Sequence, residues 1–249
     1  MTADPSHRTP RLHVDAALAP AARVTLPREA GHYVHDVLRL KPGDALRLFN
    51  AETGEWEARI TEAARRRASC TVVRHLRAPA EDPVCDLWLV FAPVKRAGNE
   101  WVIEKATELG ITRILPVITR FSQTRRINSA RWRTIAREAA EQCERLSVPE
   151  IAEPRPLEAL LRSWPAGRRL YACIERRQAP HLGAILRDAP AGPAGLLVGP
   201  EGGLADEDGR LLEGLAQVTP VSLGPRILRA ETAAVFGMSL LVAHRESGG

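Results

Sequence analysis

The chain has 249 residues, of which 45% are hydrophobic and 26% are charged, and its formal net charge is +5. This is the composition of a globular protein, and the length suffices for one large domain or for a small domain plus a medium one. No apolar run approaches the roughly 20 residues that a membrane-spanning helix needs. Residues 1–10 lack the apolar core of a secretory signal. A soluble, cytoplasmic protein is therefore expected.

The positive charge comes almost entirely from arginine, since the only lysines are Lys41, Lys95 and Lys105. A positive excess fits a nucleic-acid partner, because contacts to phosphate supply much of the affinity in such complexes. Arginine richness also follows from genome composition alone. The charge by itself therefore leaves RNA binding open.

The four cysteines are widely spaced and form no C-x-x-C pair, which argues against a zinc site. Scattered cysteines are typical of small buried side chains in a reducing compartment. Glu29, His32, His35 and Asp36 cluster along the chain, but their spacing matches no ligand motif. No bound metal is expected.

Residues 1–78 predict a small β-rich domain of the barrel type. Short strand-like stretches are broken by turns such as residues 41–44, where Pro42 fixes φ and Gly43 allows a positive φ. Thr53 and Gly54 can close a hairpin. One helix-like piece covers residues 32–40. The predicted strands are residues 23–26, 45–50, 56–60 and 69–75.

Residues 78–83 are rich in proline and charge and predict a linker. Residues 79–249 then alternate between strand-like and helix-like patterns, which predicts an α/β domain with a parallel sheet covered by helices. Gly110 is expected to end the first of these helices as its C-cap. The predicted strands are residues 87–94, 113–118, 169–174, 194–198 and 218–223, and the predicted helices are residues 100–109, 129–146, 206–216 and 231–244.

Two loops follow apolar strands of this predicted sheet. Residues 199–203 are rich in glycine, and residues 223–233 open a helix and include Arg226, Arg229 and Glu231. Ligands of parallel sheets bind beyond the carboxyl ends of the strands. The first loop is either a ligand-binding turn or a plain tight turn, and it matches no nucleotide-phosphate motif. The second either grips an anion and moves a proton or holds an Arg–Glu ion pair at the start of the helix.

Other basic side chains are candidate RNA contacts. Lys95 and Arg96 follow the strand at residues 87–94, so they lie at the same expected sheet edge. Arg11 and Arg39 belong to the β-rich domain, where basic residues can follow a phosphate backbone. For Arg11 and Arg39, a solvated surface position is the more common explanation. The carboxylates that follow Arg96, at Glu100, Glu104 and Glu108, fit a solvated helix face equally well.

Together these motifs resemble the ribosomal RNA small subunit methyltransferase E family. The resemblance rests on residues 197–203 and 223–233, supported in order by residues 37–40, 105–110 and 138–145. It spans roughly residues 10 to 245. It implies an α/β fold, with an N-terminal PUA-like β-barrel domain (residues 1–78) that helps to hold RNA. A C-terminal SPOUT domain (residues 79–249) with a deep trefoil knot follows it.

The resemblance further implies a homodimer that uses S-adenosyl-L-methionine to methylate N3 of one uridine in the decoding region of 16S ribosomal RNA. The substrate is then the small ribosomal subunit, complete or partly assembled. Uridine N3 must lose its proton, so a base or a positive field is needed. Glu231 is the candidate base and Arg229 or Arg226 the candidate positive group, while Glu201 is either a second base or a support for its loop.

By the same resemblance, three loops enclose the cofactor, and Gly202 and Gly203 are expected to be sensitive to substitution. The candidate cofactor-binding residues are Ile118, Thr119, Val198, Gly199, Pro200, Glu201, Gly202, Gly203, Leu223, Gly224, Arg226, Ile227 and Leu228. The candidate RNA-binding residues are Arg11, Arg39, Lys95, Arg96 and Arg120. The alternatives are a SPOUT enzyme with a ribose or tRNA target, a non-catalytic RNA-binding assembly factor, and a small-molecule methyltransferase.

Overall fold

A computed structural model of the chain describes residues 9–64, 67–82, 85–94, 96–122, 127–174 and 178–247, without the side chain of Arg96. The chain forms two compact units. The first comprises Met1–Pro83 and Ala140–Val148, and the second comprises Val84–Ala139 and Pro149–Gly249. The short segment at residues 140–148 thus belongs with the first unit, although the sequence pattern gives no sign of this.

The first unit is built on a five-stranded sheet with the strand order β1-β3-β4-β5-β2. The pairs are antiparallel except for β1 and β3, which run parallel. The β3 strand has its predicted bounds, β4 and β5 are longer than predicted, and β1 was not predicted. The strands are β1 (Arg11–His13), β2 (Arg23–Thr25), β3 (Ala45–Asn50), β4 (Gly54–Ala64) and β5 (Arg67–Arg77).

The helical part of this unit begins earlier than predicted. Helix α1 covers Arg28–His32 and continues as a π-helical turn over Tyr33–Val37. Gly31 and Val34 are the buried residues of this stretch. A single 3₁₀ turn, Pro79–Glu81, occupies the predicted linker.

The β3–β4 hairpin has the turn chemistry that its sequence predicts. Gly54 has φ +82°, and a Cβ added there would lie 2.2 Å from the carbonyl oxygen of Arg77, so only glycine fits. The Asn50 side chain accepts hydrogen bonds from the backbone N–H groups of Glu52 and Thr53, which fixes the turn. In the turn at residues 41–44, Gly43 has φ +96°.

Arg11 is buried, and this corrects the prediction that it contacts RNA. Its side chain is only 3% exposed, and its guanidinium lies 3.5 Å from the centre of the Phe49 ring. It donates to the Glu55 carboxylate at 3.0 Å and to the carbonyl oxygens of Ala140 and Arg145 at 2.8 and 2.6 Å. Burial lowers the pKa of Arg11, and the Glu55 carboxylate opposes that shift. With its donors occupied, Arg11 holds the first unit together.

The second unit contains a parallel sheet with the strand order β12-β10-β11-β6-β7-β8, and β9 pairs with the far end of β7. This confirms the predicted α/β class, and β7 and β11 have their predicted bounds. The strands are β6 (Leu87–Phe91), β7 (Arg113–Ile118), β8 (Glu150–Ile151), β9 (Arg155–Pro156), β10 (Arg169–Cys173), β11 (Ala194–Val198) and β12 (Val218–Val221).

Helices surround this sheet, and Gly110 ends the first of them with φ +84°, as predicted. Two short helices, α4 and α5, were not predicted. The helices of this part of the chain are α2 (Arg96–Glu108), α3 (Ser129–Gln142), α4 (Leu157–Arg162), α5 (Leu182–Asp188), α6 (Asp206–Glu213) and α7 (Ala230–Ser247).

Helix α3 ends at Gln142, four residues before the predicted end at Leu146. Glu144 has φ +61°, which an α-helix does not allow. The guanidinium of Arg77 donates to the Glu144 carbonyl oxygen at 2.7 Å. The apolar spacing that predicted a longer helix is therefore overridden by contacts from a distant part of the sequence.

Candidate active site

Three neighbouring strands of the parallel sheet end at one edge and form the floor of a cavity. Cys173 at the end of β10 lies opposite Val198 of β11 on one side and Val221 of β12 on the other. The cavity has a volume of about 250 Å³. Its lining residues are Cys173, Ile174, Val198, Gly199, Gly203, Leu204, Val221, Ser222, Leu223, Gly224, Pro225, Arg226, Ile227, Leu228 and Ala233.

The glycine turn after β11 supplies one wall of this cavity. Gly203 donates its N–H to the Pro200 carbonyl oxygen at 2.8 Å and has φ +75°, a conformation that favours glycine. Gly202 has no positive φ, and a Cβ added there would meet the Cβ of Phe121 at an ordinary 3.5 Å. Of the two glycines predicted to be sensitive, only Gly203 is required by the backbone.

The loop after β12 supplies the opposite wall, and it lines the cavity with every residue from Leu223 to Leu228. Ser222 Oγ accepts the N–H of Gly224 at 3.1 Å, and Gly224 has φ +120°. Ile227 is 72% exposed, and Arg226 is also exposed. The structure thus brings the loop residues proposed from the sequence to the same cavity as Val198, Gly199 and Gly203.

Arg229 and Glu231 lie at the start of α7, directly after this loop. Among the described residues, no ion pair joins them, so the structure does not support the Arg–Glu pair considered from the sequence. Arg229 is exposed, and its carbonyl oxygen accepts the N–H of Ala233 at 2.8 Å. Glu231 is half-buried and lies close to Gly98 in the first turn of α2. A Cβ added to Gly98 would lie 3.9 Å from Oε2 of Glu231. Helix N-termini stabilise negative charge.

Several predicted cofactor residues do not line the cavity. Pro200 is buried and Glu201 and Gly202 are exposed, and none of the three is a lining residue. Ile118 and Thr119 also lie outside it. The Thr119 hydroxyl and N–H are bonded to the Ser122 hydroxyl at 3.1 and 2.9 Å, because the chain after β7 closes into a turn of its own.

The turn after β7 is connected to the start of α6 by a residue that the sequence analysis missed. Asp208, buried in the first turn of α6, accepts the N–H of Arg120 at 3.3 Å and that of Ala205 at 3.4 Å. The Glu207 carboxylate lies 3.6 Å from Arg120 Nε. The signal was present, because an acidic residue three positions after the N-cap is a helix-start pattern.

Of the other predicted RNA contacts, two have exposed side chains and two have side chains outside the described residues. Arg39 is exposed, with φ +54°, and the Arg120 side chain is 61% exposed. Lys95 lies outside the described residues. Arg96 begins α2, and its side chain also lies outside them.

The described residues contain no group of three or more His, Cys, Asp and Glu side chains placed to hold a metal ion. The described part of the chain also lacks a helix with the length and hydropathy of a membrane span. In the exposed His–Asp cluster, Asp36 bonds both His32 and His35, and the hydrogen bond from His35 is the largest factor that lowers the Asp36 pKa.

Comparison with known proteins identifies the family. The family model described as "RNA methyltransferase domain" matches residues 80–242, and "RNA methyltransferase PUA domain" matches residues 26–73. Ribosomal RNA small subunit methyltransferase E of Rickettsia conorii is 34% identical over 95% of this chain and 97% of its own length. The chain belongs to the ribosomal RNA small subunit methyltransferase E family. The Synechocystis member is 35% identical over 91% of this chain and 75% of its own length.

Solved structures agree with this family assignment. A Legionella pneumophila methyltransferase with the bound cofactor SAM has a TM-score of 0.84 and 33% identity, and the match covers 95% of this chain and 98% of that one. Ribosomal RNA small subunit methyltransferase E of Neisseria gonorrhoeae, bound to S-adenosyl methionine, has a TM-score of 0.81 and 29% identity over 94% and 97% of the two chains. The assignment made from the motifs is confirmed, and with it the methyltransferase class.

Proposed function

We propose that this chain transfers a methyl group from S-adenosylmethionine to N3 of one uridine in the decoding region of 16S ribosomal RNA, with the small subunit as substrate. The observation that carries the proposal is the cavity between the glycine turn and the loop after β12. Arg226 lines this cavity, and Arg229 and Glu231 lie in the chain between its lining residues Leu228 and Ala233. Family membership supports the ribosomal target, and the motif resemblance supports the uridine position.

The residues of the cavity fit the cofactor. Ile174, Val198 and Leu204 offer apolar walls for an adenine ring. The glycine turn and the loop after β12 offer closely approachable backbone groups, and Arg226 is the only charged lining residue in the described part of the chain. Bound S-adenosylmethionine supplies a methyl group that is already electrophilic on its sulfonium, so no metal is required.

The protein's part in the reaction is to align the RNA and to manage one proton. We assign Glu231 to accept the proton from uridine N3 as N3 bonds the methyl group, whose bond to the sulfonium sulfur breaks. Arg229, exposed and without an ion-pair partner among the described residues, supplies the positive field that favours the uridine anion. Glu201 lies outside the cavity, which favours a role in shaping its loop over a role as base.

The finer architecture is part of the proposal. The family matches support a PUA-like RNA-binding domain over residues 1–78, a barrel in form, and a SPOUT domain over residues 79–249. The motif resemblance supports a trefoil knot in the C-terminal part. The proposed RNA contacts are Arg39, Lys95, Arg96 and Arg120. We further propose a cytoplasmic location, because the proposed substrate is the small ribosomal subunit.

A homodimer is the proposed working form. Trp101 on α2 and Phe236 on α7 are 41% and 40% exposed, and these two helices pack against each other. Large aromatic side chains exposed on adjacent helices suit a second copy of the chain. Sedimentation velocity should give a dimer that Phe236→Glu dissociates. A monomer at every concentration would remove this part of the proposal.

Methyl transfer to purified small subunits tests the assignment of roles. Glu231→Gln and Arg229→Gln should each lower kcat at least tenfold while S-adenosylmethionine still binds, measured by calorimetry. Arg187→Gln removes the same charge as Arg229→Gln from an exposed position on α5 and should leave kcat unchanged. Full activity of both site variants would overturn the roles. A wild-type protein that binds RNA without binding the cofactor would point instead to a non-catalytic assembly factor.

A further inference from the structure

The turn after β7 presents a large aromatic ring at the catalytic edge of the sheet. Phe121 is 52% exposed, although residues of its type are usually buried. It lies at the third position of a turn in which Ser122 N–H donates to the Thr119 carbonyl oxygen at 3.2 Å. This ring has no role in the cofactor cavity, because it does not line it.

The backbone that carries Phe121 is held in place on both sides. Before it, the Arg120 N–H donates to the buried carboxylate of Asp208. After it, the Ser122 hydroxyl bonds back to Thr119. The backbone position of Phe121 is therefore fixed. An aromatic side chain has few rotatable bonds, so it binds a flat ligand at little cost in conformational entropy.

The surroundings of the ring point to nucleic acid. Phe121 lies against Gly202, whose neighbour Gly203 lines the cavity, so the ring stands beside the cavity wall. The adjacent Arg120 side chain is also exposed. An exposed aromatic ring flanked by an arginine is the combination that stacks an unpaired base and holds its phosphate.

We propose that Phe121 is a stacking platform for a base of the RNA substrate, either the target uridine or its direct neighbour. A base that reacts at N3 must expose that edge, which requires it to leave its paired and stacked position. A fixed aromatic ring beside the methyl donor compensates for the lost stacking. This inference rests on the proposed function.

Substitution of Phe121 tests the platform. Phe121→Ala should lower kcat/KM for small subunits about 5- to 150-fold, which corresponds to the 1–3 kcal/mol of one stacked base. Phe121→Leu keeps apolar bulk without a π face and should lose nearly as much, while Phe121→Trp should retain activity. The dissociation constant of S-adenosylmethionine should change less than twofold. Leu211→Ala removes a comparably exposed apolar side chain from α6 and should change neither value.

The other outcomes separate the competing explanations. Full activity of Phe121→Leu would overturn stacking, and a loss of cofactor affinity in Phe121→Ala would mean that the ring only braces the glycine turn. Dissociation of a dimer in that variant would assign Phe121 to a protein interface. Ultraviolet crosslinking of the wild type to RNA should yield a nucleotide on Phe121, and its absence would count against the platform. Failure of the wild type to bind cofactor or methylate RNA would instead overturn the proposed function.

Discussion

Replacement of Gly203 by alanine probes the conformation of the glycine turn, and Gly202→Ala is its matched control. An L-residue at φ +75° costs roughly 1–2 kcal/mol, because its Cβ approaches the following carbonyl oxygen. Gly202 lacks a positive φ and has room for a Cβ, so alanine there should be neutral or stabilise by about 0.4–1 kcal/mol through the unfolded state. The two variants should therefore differ by about 1–3 kcal/mol.

The strain of Gly203→Ala should emerge in one of two measurements. If the turn keeps its conformation, the Tm should fall by about 2–8 °C, at roughly 2–4 °C per kcal/mol. If the turn instead relaxes in the free protein, cofactor binding must restore the strained conformation. The affinity for S-adenosylmethionine should then fall about 5- to 30-fold. Gly202→Ala should show neither change. Equal effects in both variants, or none in Gly203→Ala, would refute the reasoning from backbone conformation.

Three further predictions follow from buried groups and from the cavity. Asp208→Ala should weaken S-adenosylmethionine binding, measured by calorimetry. Asp208→Asn keeps an acceptor oxygen and should bind as the wild type does. Equal losses of affinity in the two variants would show that the charge of Asp208 matters rather than its hydrogen bonds. Arg11→Gln should lower the free energy of unfolding, measured in urea, by about 3 kcal/mol. Arg39→Gln should leave the free energy of unfolding unchanged and weaken RNA binding in a filter assay. The reverse pattern would restore Arg11 as an RNA contact. Cys173 lines the cavity, so iodoacetamide at pH 8 should alkylate it more slowly when S-adenosylmethionine is present. Cys70 should not react, because burial raises the pKa of its thiol to about 11. Alkylation is measured by mass spectrometry, and equal rates at Cys173 with and without the cofactor would contradict the prediction.

The sequence predicted best those elements whose local pattern coincides with their tertiary environment. Strands β7 and β11 are apolar runs with both faces covered, so their bounds follow from composition alone. The two-residue strands β8 and β9 have no such pattern and exist only because β7 offers them partners. Helix α3 ends at Gln142 against its local pattern, because the Glu144 carbonyl oxygen accepts hydrogen bonds from Arg11 and Arg77, which are far away in sequence.

The lining of the cavity was predicted where glycine and charge mark the end of a strand, and it was missed where only the strand order brings residues together. The residues of the loop after β12 were found from their own motif. Cys173 and Ile174 line the cavity because β10 lies between β11 and β12, a strand order that no local signal reveals. Thr119 was assigned to the cofactor although its polar groups are used within its own turn. Arg11 was predicted to contact RNA, but it is buried. A single buried charge needs partners, and the burial could not be predicted without knowing which residues those partners are.

Methyl transfer followed by mapping of the modified nucleotide tests the central claim most directly. Small subunits from cells that lack this protein are incubated with it and with labelled S-adenosylmethionine, and the digested RNA is analysed by mass spectrometry. The proposed function predicts label at N3 of a single uridine in 16S ribosomal RNA. Label on a ribose, on another base or on transfer RNA would contradict the assignment, and cofactor binding without any label would exclude the small subunit as the substrate.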